Sequence, residues 1–291
     1  MNTWTKENPS DLPAPRLTGK LVGGVRLILL LLLTLVSVVL FLIGRFLRGT
    51  LGRWVVFHFS VARFWAHACL WLTGIRLRVT GAPVRSGALV ANHSSWIDIL
   101  ALRATTLMYF VSKAEVANWP GVGFITRITG TVFIERRRTE AKRQEAVLRS
   151  RIAQKQLLCL FPEGTSTDGL RVLPFKSSLF SAFFVDGEST DIMIQPVTLR
   201  YHPPKTGELP LDVYGWWGTM GFEKHIWDVL TLSFGGVVDV IFHQAVPASA
   251  FEDRKALAEA SQSAVAHGFE TLTHIRLLDD QREPLRTGDT V

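Results

Sequence analysis

Two short polar segments, each directly after an apolar run, contain the residue types that acid–base chemistry uses. In the first, His93 is followed five residues later by Asp98. A carboxylate bonded to one imidazole nitrogen fixes the tautomer, and the other nitrogen can then take a proton from a hydroxyl. The pair can meet only if His93 lies in a loop and Asp98 in the first turn of the next helix, since residues i and i+5 do not share a helix face. A histidine that only fixes a strand-to-helix turn is the alternative interpretation.

The second segment reads Phe161-Pro162-Glu163-Gly164-Thr165 and again follows an apolar run. Exposed amides around Gly164 would stabilise an oxyanion, and Glu163 would accept hydrogen bonds from a polar head group. An ordinary turn is the alternative interpretation. We also expect Ser94 or Ser95 to cap the helix that follows His93.

A third candidate site is basic. Residues 127–155 hold nine Lys or Arg and three acidic residues, which indicates either a solvated helix face or an anion site near Arg136. The run lacks interleaved aromatic residues and contains no nucleic-acid-binding motif, which excludes nucleic acid as the expected partner.

Short apolar runs alternate with longer helical patterns, which predicts an α/β fold with a largely parallel central sheet flanked by helices. The predicted strands are residues 76–80, 88–91, 108–112, 131–134, 157–161, 193–201 and 237–242. Helical patterns cover residues 139–154 and 175–184. A last helix is predicted from Ser249, which forms an S-x-x-E capping box with Glu252, to about His274.

The excess charge and much of the excess hydrophobicity lie at the N-terminus. The chain of 291 residues has a formal net charge of +7, and residues 1–76 alone hold nine Lys or Arg against two acids. Residues 27–43 are apolar except for Thr34 and Ser37, which predicts a membrane helix better than a signal peptide or a core helix. Residues 51–75 combine Trp and Phe with basic residues, which favours an interfacial or re-entrant helix.

These patterns divide the chain into three parts. We expect membrane-anchoring helices in residues 1–75, an α/β core in residues 76–248, and a C-terminal helix with a polar tail in residues 249–291. Basic residues flank residues 27–43 on both sides, which fits a helical hairpin with both ends in the cytoplasm.

Taken together, the motifs resemble the glycerophospholipid acyltransferase family of the lysophosphatidate acyltransferase type. The resemblance covers residues 76–201 and places four blocks in the family's order. The matching residues are Asn92, His93 and Asp98 in the first block, Lys113, Glu115, Pro120, Gly123, Phe133, Ile134 and Arg136 in the second, Phe161, Pro162, Glu163, Gly164 and Thr165 in the third, and Pro196 in the fourth.

The resemblance implies that His93, oriented by Asp98, deprotonates a lysolipid hydroxyl, which then attacks an acyl thioester. It implies no metal and no bound organic cofactor, with acyl carrier protein or coenzyme A as the acyl carrier and a membrane lipid as acceptor. It also implies the bacterial inner membrane as location, with the catalytic domain facing the cytoplasm. The expected substrate-binding residues are Asn92, Lys113, Arg136, Phe161, Pro162, Glu163, Gly164, Thr165, Arg171 and Lys176.

One position departs from the family pattern. The third block of lysophosphatidate acyltransferases usually continues with Arg, where this chain has Ser166. An Arg there offers a bidentate phosphate partner, for which Arg171 or Lys176 would have to substitute. The following segment is more similar to the bacterial branch that acylates lyso-ornithine lipid, a zwitterionic acceptor. We expect that acceptor or 1-acylglycerol 3-phosphate. A non-catalytic lipid-binding protein and a hydrolase are the alternatives, and the absence of a G-x-S-x-G motif weakens the hydrolase.

Overall fold

The structure is a computed structural model that describes residues 4–5, 8–52, 56–135, 141–185, 188–189, 191–205 and 208–282. Its helices are α1 (Leu17–Leu51), α2 (Phe57–Leu72), α3 (Ile97–Thr105), α4 (Val122–Ile128), α5 (Ala141–Ala153), α6 (Phe222–Leu232) and α7 (Arg254–Arg282). Short 3₁₀ helices cover Ala114–Asn118, Ser177–Phe183 and Ala248–Ala250. The strands are β1 (Ile75–Thr80), β2 (Gly87–Ala91), β3 (Tyr109–Lys113), β4 (Val132–Ile134), β5 (Leu157–Leu160), β6 (Phe184–Val185), β7 (Glu188–Ser189), β8 (Met193–His202), β9 (Gly236–Phe242) and β10 (Val246–Pro247).

The central sheet has the strand order β1-β9-β8-β2-β5-β3-β4 and is largely parallel, as predicted. Each predicted strand is present, with its ends within one residue of the predicted bounds. The direction reverses only once along this path, between β8 and β9. In consequence, β1 and β9 begin at the same edge of the sheet where β2, β3, β5 and β8 end.

Helices cover both faces of this sheet, and β2 shows why. All of its residues are buried, and alternate side chains point to opposite faces. Leu89 and Ala91 pack in an apolar cluster with α2 and α3, whereas Ala88 and Val90 pack in a second cluster with α7 and the 3₁₀ helix Ser177–Phe183. The core therefore consists of two apolar layers separated by the sheet.

Helix α1 is 35 residues long, so the predicted helix over residues 27–43 was too short. Its best 18-residue window has a mean hydropathy of 3.1, and by length and composition it can cross a membrane. Leu31, Leu32 and Leu35 are among its exposed apolar side chains. The polar residues that end the apolar pattern do not end the helix, because they bond to the core. Arg45, for example, donates to the carbonyl of Ile128 at 2.6 Å.

The first turns of α1 pack directly on α6. Gly23 lies against Thr231, and a Cβ at this glycine would be 2.5 Å from Thr231 Cγ2. One turn further on, Arg26 Nη1 donates to the carbonyls of Leu230 at 2.9 Å and Ser233 at 2.8 Å. These carbonyls belong to the end of α6, where a helix leaves acceptors without an internal donor. The N-terminal part of α1 is therefore a structural part of the core.

Helix α2 returns along α1 in the opposite direction. Trp65 Nε1 donates to Thr34 Oγ1 at 3.0 Å, and further along, Gly44 packs against His58. The chain before α1 is tied to the core as well, because the Ser10 amide donates to Asp212 Oδ2 at 3.1 Å. The helical pair therefore contacts the core at both ends of α1, through Arg26 and Arg45, and through α2, whose Ala66 and Leu70 pack in the apolar cluster of the sheet.

Two of the other helical predictions need correction. Helix α7 begins at Arg254, because Asp253 Oδ1 accepts the amides of Lys255 and Ala256, both at 2.8 Å. The predicted cap, Ser249, instead donates to Asp191. The helix also continues beyond His274, to Arg282. The helix predicted over residues 175–184 is the 3₁₀ helix Ser177–Phe183.

The contact between Gly23 and Thr231 can be tested with two neighbouring glycines. We expect Gly23→Ala to destabilise the protein by about 1–3 kcal/mol, the usual cost of overpacking, because Thr231 is held by its own hydroxyl bond to Trp227. Gly24 has open space around it, so Gly24→Ala should be neutral or stabilise by up to about 1 kcal/mol. Thermal unfolding in detergent measures both, and equal midpoints for the two variants would contradict this packing.

Candidate active site

The side chains of His93 and Asp98 meet as the sequence predicts. Asp98 lies in the first turn of α3 and is fully buried, and its Oδ2 accepts His93 Nδ1 at 2.7 Å. The same oxygen accepts the amides of Ser94 at 2.8 Å and Ser95 at 3.0 Å. Its other oxygen, Oδ1, accepts the hydroxyl of Tyr201 at 2.6 Å. These four donors compensate the carboxylate for its loss of water.

The carboxylate replaces the predicted serine caps. Trp96, the residue before α3, makes no side-chain capping bond, and the hydroxyl oxygens of Ser94 and Ser95 are buried without a hydrogen-bond partner among the described residues. The prediction that a serine caps this helix was therefore wrong. Asp98 takes that role itself, because its side chain folds back onto the amides of the preceding turn.

Asn92 and Glu163 hold the backbone on either side of His93. The side chain of Asn92 is fully buried and exchanges two hydrogen bonds with the backbone of Leu199 in β8, at 2.9 and 2.8 Å. Glu163 Oε2 accepts the His93 amide at 2.9 Å, and Oε1 accepts the Leu173 amide at 2.9 Å. Glu163 therefore braces the backbone of the first block and of the segment that follows the third, and its oxygens are occupied by protein donors.

Burial raises the pKa of Glu163 to about 8, and the two backbone N–H bonds limit this rise. The pKa of Tyr201 is raised well above its ordinary value, first by burial and then by the neighbouring Asp98 carboxylate. Tyr201 is thus a hydrogen-bond donor to Asp98 under ordinary conditions.

The imidazole of His93 lies at the edge of the protein interior. Its side chain is 22% exposed, and its ring stacks on Phe161 with centroids 4.2 Å apart. Phe161 in turn stacks on Phe110, which belongs to the core. Nε2 of His93 makes no hydrogen bond within the described part of the chain. When Nδ1 donates to Asp98, Nε2 carries the lone pair that accepts a proton.

The other predicted binding residues differ in the protein contacts that they make. Lys113 is the last residue of β3, at the same edge of the sheet. Arg171 forms an ion pair with Asp168, with Nη2 2.8 Å from Oδ2, and its guanidinium also lies over the ring of Trp4. The Lys176 ammonium lies against Gly164. Arg136 lies outside the described residues.

The third block is a folded turn. Gly164 has φ of +68° and donates its amide to the Phe161 carbonyl at 2.9 Å, so this amide does not point into the site as an oxyanion donor. The amide of Lys176 donates to the Pro162 carbonyl at 2.9 Å. Thr165 Oγ1 accepts the amide of Trp4 at 3.3 Å.

Three residues that the sequence reasoning missed complete the site. Tyr201 orients Asp98, and Thr167 donates its amide to the His93 carbonyl at 3.0 Å. Trp4 is buried, contacts Trp217 and covers the Arg171 guanidinium. The apolar run of β8 gave a weak signal for Tyr201. No sequence signal linked Trp4 to residues more than 160 positions away. Among the described residues, no group of three or more His, Cys, Asp or Glu can hold a metal ion.

Comparisons with known proteins agree with this arrangement. The sequence model of the acyltransferase family matches residues 76–200. The lyso-ornithine lipid O-acyltransferase of Rhodobacter capsulatus is 43% identical over 271 residues, which cover 91% of this chain and 96% of that protein. The 1-acyl-sn-glycerol-3-phosphate acyltransferase of Neisseria gonorrhoeae is 31% identical over 183 residues, which cover 62% of this chain and 68% of that protein.

A solved structure shares the fold. The crystal structure of the 1-acyl-sn-glycerophosphate acyltransferase of Thermotoga maritima matches with a TM-score of 0.60, over 85% of this chain and 96% of that chain. The two sequences are 22% identical, so this match shows the fold alone. The predicted fold class is confirmed.

The buried Glu163 predicts a pH-dependent stability. An unfolded glutamate titrates near 4.5 and this folded one near 8, so between these values the folded state keeps a proton that the unfolded chain releases. The resulting contribution to the free energy of unfolding is complete below about pH 4.5 and is lost as pH rises to about 8. Glu163→Gln has no such titration and should lose less stability over this range.

Thermal unfolding midpoints between pH 5 and pH 8.5 measure this difference. Glu259→Gln, which changes an exposed glutamate of α7, is the matched control and should follow the wild type. Parallel pH profiles for the wild type and Glu163→Gln would show that Glu163 does not titrate as stated.

Proposed function

This chain belongs to the acyltransferase family, and from that premise we propose that it transfers a fatty acyl group from a thioester to the free hydroxyl of lyso-ornithine lipid. The enzyme class, a lysolipid acyltransferase, follows from the relatives that match most of the chain. The observation that supports the mechanism is the hydrogen bond between His93 Nδ1 and the buried Asp98 carboxylate.

In the proposed reaction His93 is the general base. Nε2 takes the proton from the acceptor hydroxyl while the oxygen attacks the thioester carbonyl to form a tetrahedral intermediate, and the carbon–sulfur bond then breaks and releases the thiolate. Asp98 holds the imidazole in the required tautomer and stabilises the imidazolium that forms. The proton on Nε2 can then pass to the departing thiolate, which returns His93 to its initial state. The chemistry uses no metal ion, and the acyl donor is a thioester of acyl carrier protein or coenzyme A.

The assignment of the acceptor rests on position 166 and on Arg171. Ser166 offers no cation where the family pattern often has Arg. The Arg171 guanidinium, the nearest sequence substitute, is paired with the buried Asp168 carboxylate. A phosphomonoester with two negative charges therefore meets less positive charge here than in the usual pattern. A zwitterionic head group requires less positive charge. A relative that matches 91% of this chain is named for the lyso-ornithine acceptor.

We propose the inner membrane of a bacterium as the location, with the active site on the cytoplasmic side. The exposed apolar residues of α1 supply the membrane contact. Residues before α1 and after α2 both contact the core, which supports a helical pair that returns to the side it came from.

The general base is tested by His93→Ala. We expect acyl transfer to fall by at least about 10²–10⁴-fold, the usual contribution of a positioned base, while the unfolding midpoint and membrane partitioning stay near wild type. His267→Ala, an exposed histidine of α7, is the control and should keep full activity. Wild-type turnover by His93→Ala would remove His93 from the mechanism.

The acceptor is tested by competition. Purified protein with acyl carrier protein thioester is offered lyso-ornithine lipid and lysophosphatidate together, and we expect the first to be acylated faster. Ser166→Arg should shift the product ratio toward the phosphate acceptor, whereas Ser166→Ala should leave it unchanged. A wild-type preference for lysophosphatidate would overturn the proposed acceptor, and an unchanged ratio in Ser166→Arg would overturn the role of this position.

A further inference from the structure

A second concave site lies where α1 and α2 meet the first strand. It is a cavity of about 380 Å³, which is large enough for a small polar head group. Its lining residues are Arg26, Leu29, Trp71, Leu72, Gly74, Ile75, Arg76 and Gly235. The wall thus combines two arginines with apolar side chains and two glycines. It contains none of the residues assigned to the acyl-transfer site.

The first arginine has donors that the protein does not use. Arg26 Nη1 donates to the carbonyls of Leu230 and Ser233. Nε and Nη2 make no hydrogen bond with any residue in the described ranges. The guanidinium is held in place by these carbonyls and by the ring of Phe234, whose centroid is 4.3 Å away. Arg26 therefore presents a fixed set of N–H donors at the cavity, at little further entropic cost.

The second arginine adds a charge that is also uncompensated. Arg76 is exposed in β1, and its side chain forms no ion pair or hydrogen bond within the described part of the chain. No acidic residue is among those that line the cavity. Two guanidinium groups beside one cavity without a carboxylate make a site whose charge complement is an anion.

The shape of the cavity leaves room for that anion beside the arginines. Gly74 has φ of +72°, and a Cβ there would be 3.0 Å from Arg26 Nη2 and still closer to the Ser233 carbonyl. Gly235 has φ of +94°, and nothing lies near the position of its missing Cβ. Both positions are in the left-handed region that favours glycine. The backbone therefore comes close to the guanidinium without a side chain to cover it.

The surroundings of the cavity are those of a membrane surface. Trp71 is 76% exposed, and Leu29 continues into the exposed apolar side chains of α1. Exposed Trp beside Arg, next to a long apolar face, is typical of the level at which lipid head groups lie. A lipid phosphate at the arginines would thus have its acyl chains next to the leucines of α1.

We propose that this cavity binds the phosphate group of an anionic glycerophospholipid of the membrane, with Arg26 and Arg76 as its ligands. The ligand is a structural lipid and not the acyl acceptor, so the inference goes beyond the proposed reaction. Because β1 and β9 begin where β2 ends, the bound phosphate lies at the same edge of the sheet as His93. The strand order β1-β9-β8-β2 puts the two sites roughly 14 Å apart across the sheet. The lipid would thereby hold the active site at the depth of the head groups.

Lipid binding is measured on the full chain in neutral detergent, from the rise of the thermal unfolding midpoint with added lipid. We expect phosphatidylglycerol to raise the midpoint of the wild type and phosphatidylcholine to leave it nearly unchanged. Arg76→Gln should need roughly tenfold more phosphatidylglycerol for the same rise, the loss expected for one charge-assisted contact. Arg26 is not substituted in this experiment, because its bonds to Leu230 and Ser233 attach α1 to α6.

Arg78→Gln is the matched control, because Arg78 is an exposed arginine on the same face of β1 that does not line the cavity. It should keep the wild-type response. Equal responses of Arg76→Gln and Arg78→Gln would overturn the site, and an equal effect of phosphatidylcholine would overturn its preference for an anion. A full response to inorganic phosphate alone would mean a soluble anion site, and a response confined to lysophosphatidate would mean part of the acceptor site. Either result would overturn the structural lipid. None of these measurements depends on acyl transfer.

Discussion

The fully buried carboxylate of Asp98 is the interaction on which the site depends, because a charge without water must be matched by donors from the protein. Its four donors come from the loop after β2 and from Tyr201 in β8. These elements can converge only because β2 and β8 are neighbouring parallel strands. One of these bonds comes from His93 Nδ1 and fixes the direction of the histidine ring, and the other three hold the carboxylate that orients it.

A second buried carboxylate has a different part in the structure. Glu163 accepts backbone amides from two loops and leaves the imidazole to Asp98. Asp98 therefore orients the His93 side chain, and Glu163 holds the backbone of the two loops in place. This explains how a residue in a binding motif can matter for the site while its oxygens remain turned toward the protein. The single reversal between β8 and β9 then adds the start of β1, and with it the helical pair, to the same edge of the sheet.

Much of the fold could be predicted because the central strands are buried apolar runs with polar ends, as in β2 and β5. Prediction failed where a local pattern competes with contacts distant in sequence. The ends of α1 contain charged residues that indicate helix boundaries, yet Arg26 and Arg45 each donate to a carbonyl of the core, in α6 and at the end of α4. At α7, Asp253 captures the first amides that Ser249 was expected to cap. In the site, the pair His93 and Asp98 is local and predictable, whereas Tyr201 and Trp4 reach it across more than 100 residues.

The packing of Gly23 on Thr231 joins the beginning of α1 to a helix that is synthesised roughly 200 residues later. At about 5–20 residues per second, the ribosome needs roughly 10–40 s to produce that partner. During this interval α2 is the neighbour that can pack on α1, and the slow assembly of distant strands prolongs the delay before α6 joins it. At the membrane location proposed above, insertion into the bilayer during translation would protect the exposed face of the nascent helix, and the membrane would then act first as a chaperone for α1 and only later as the source of substrate.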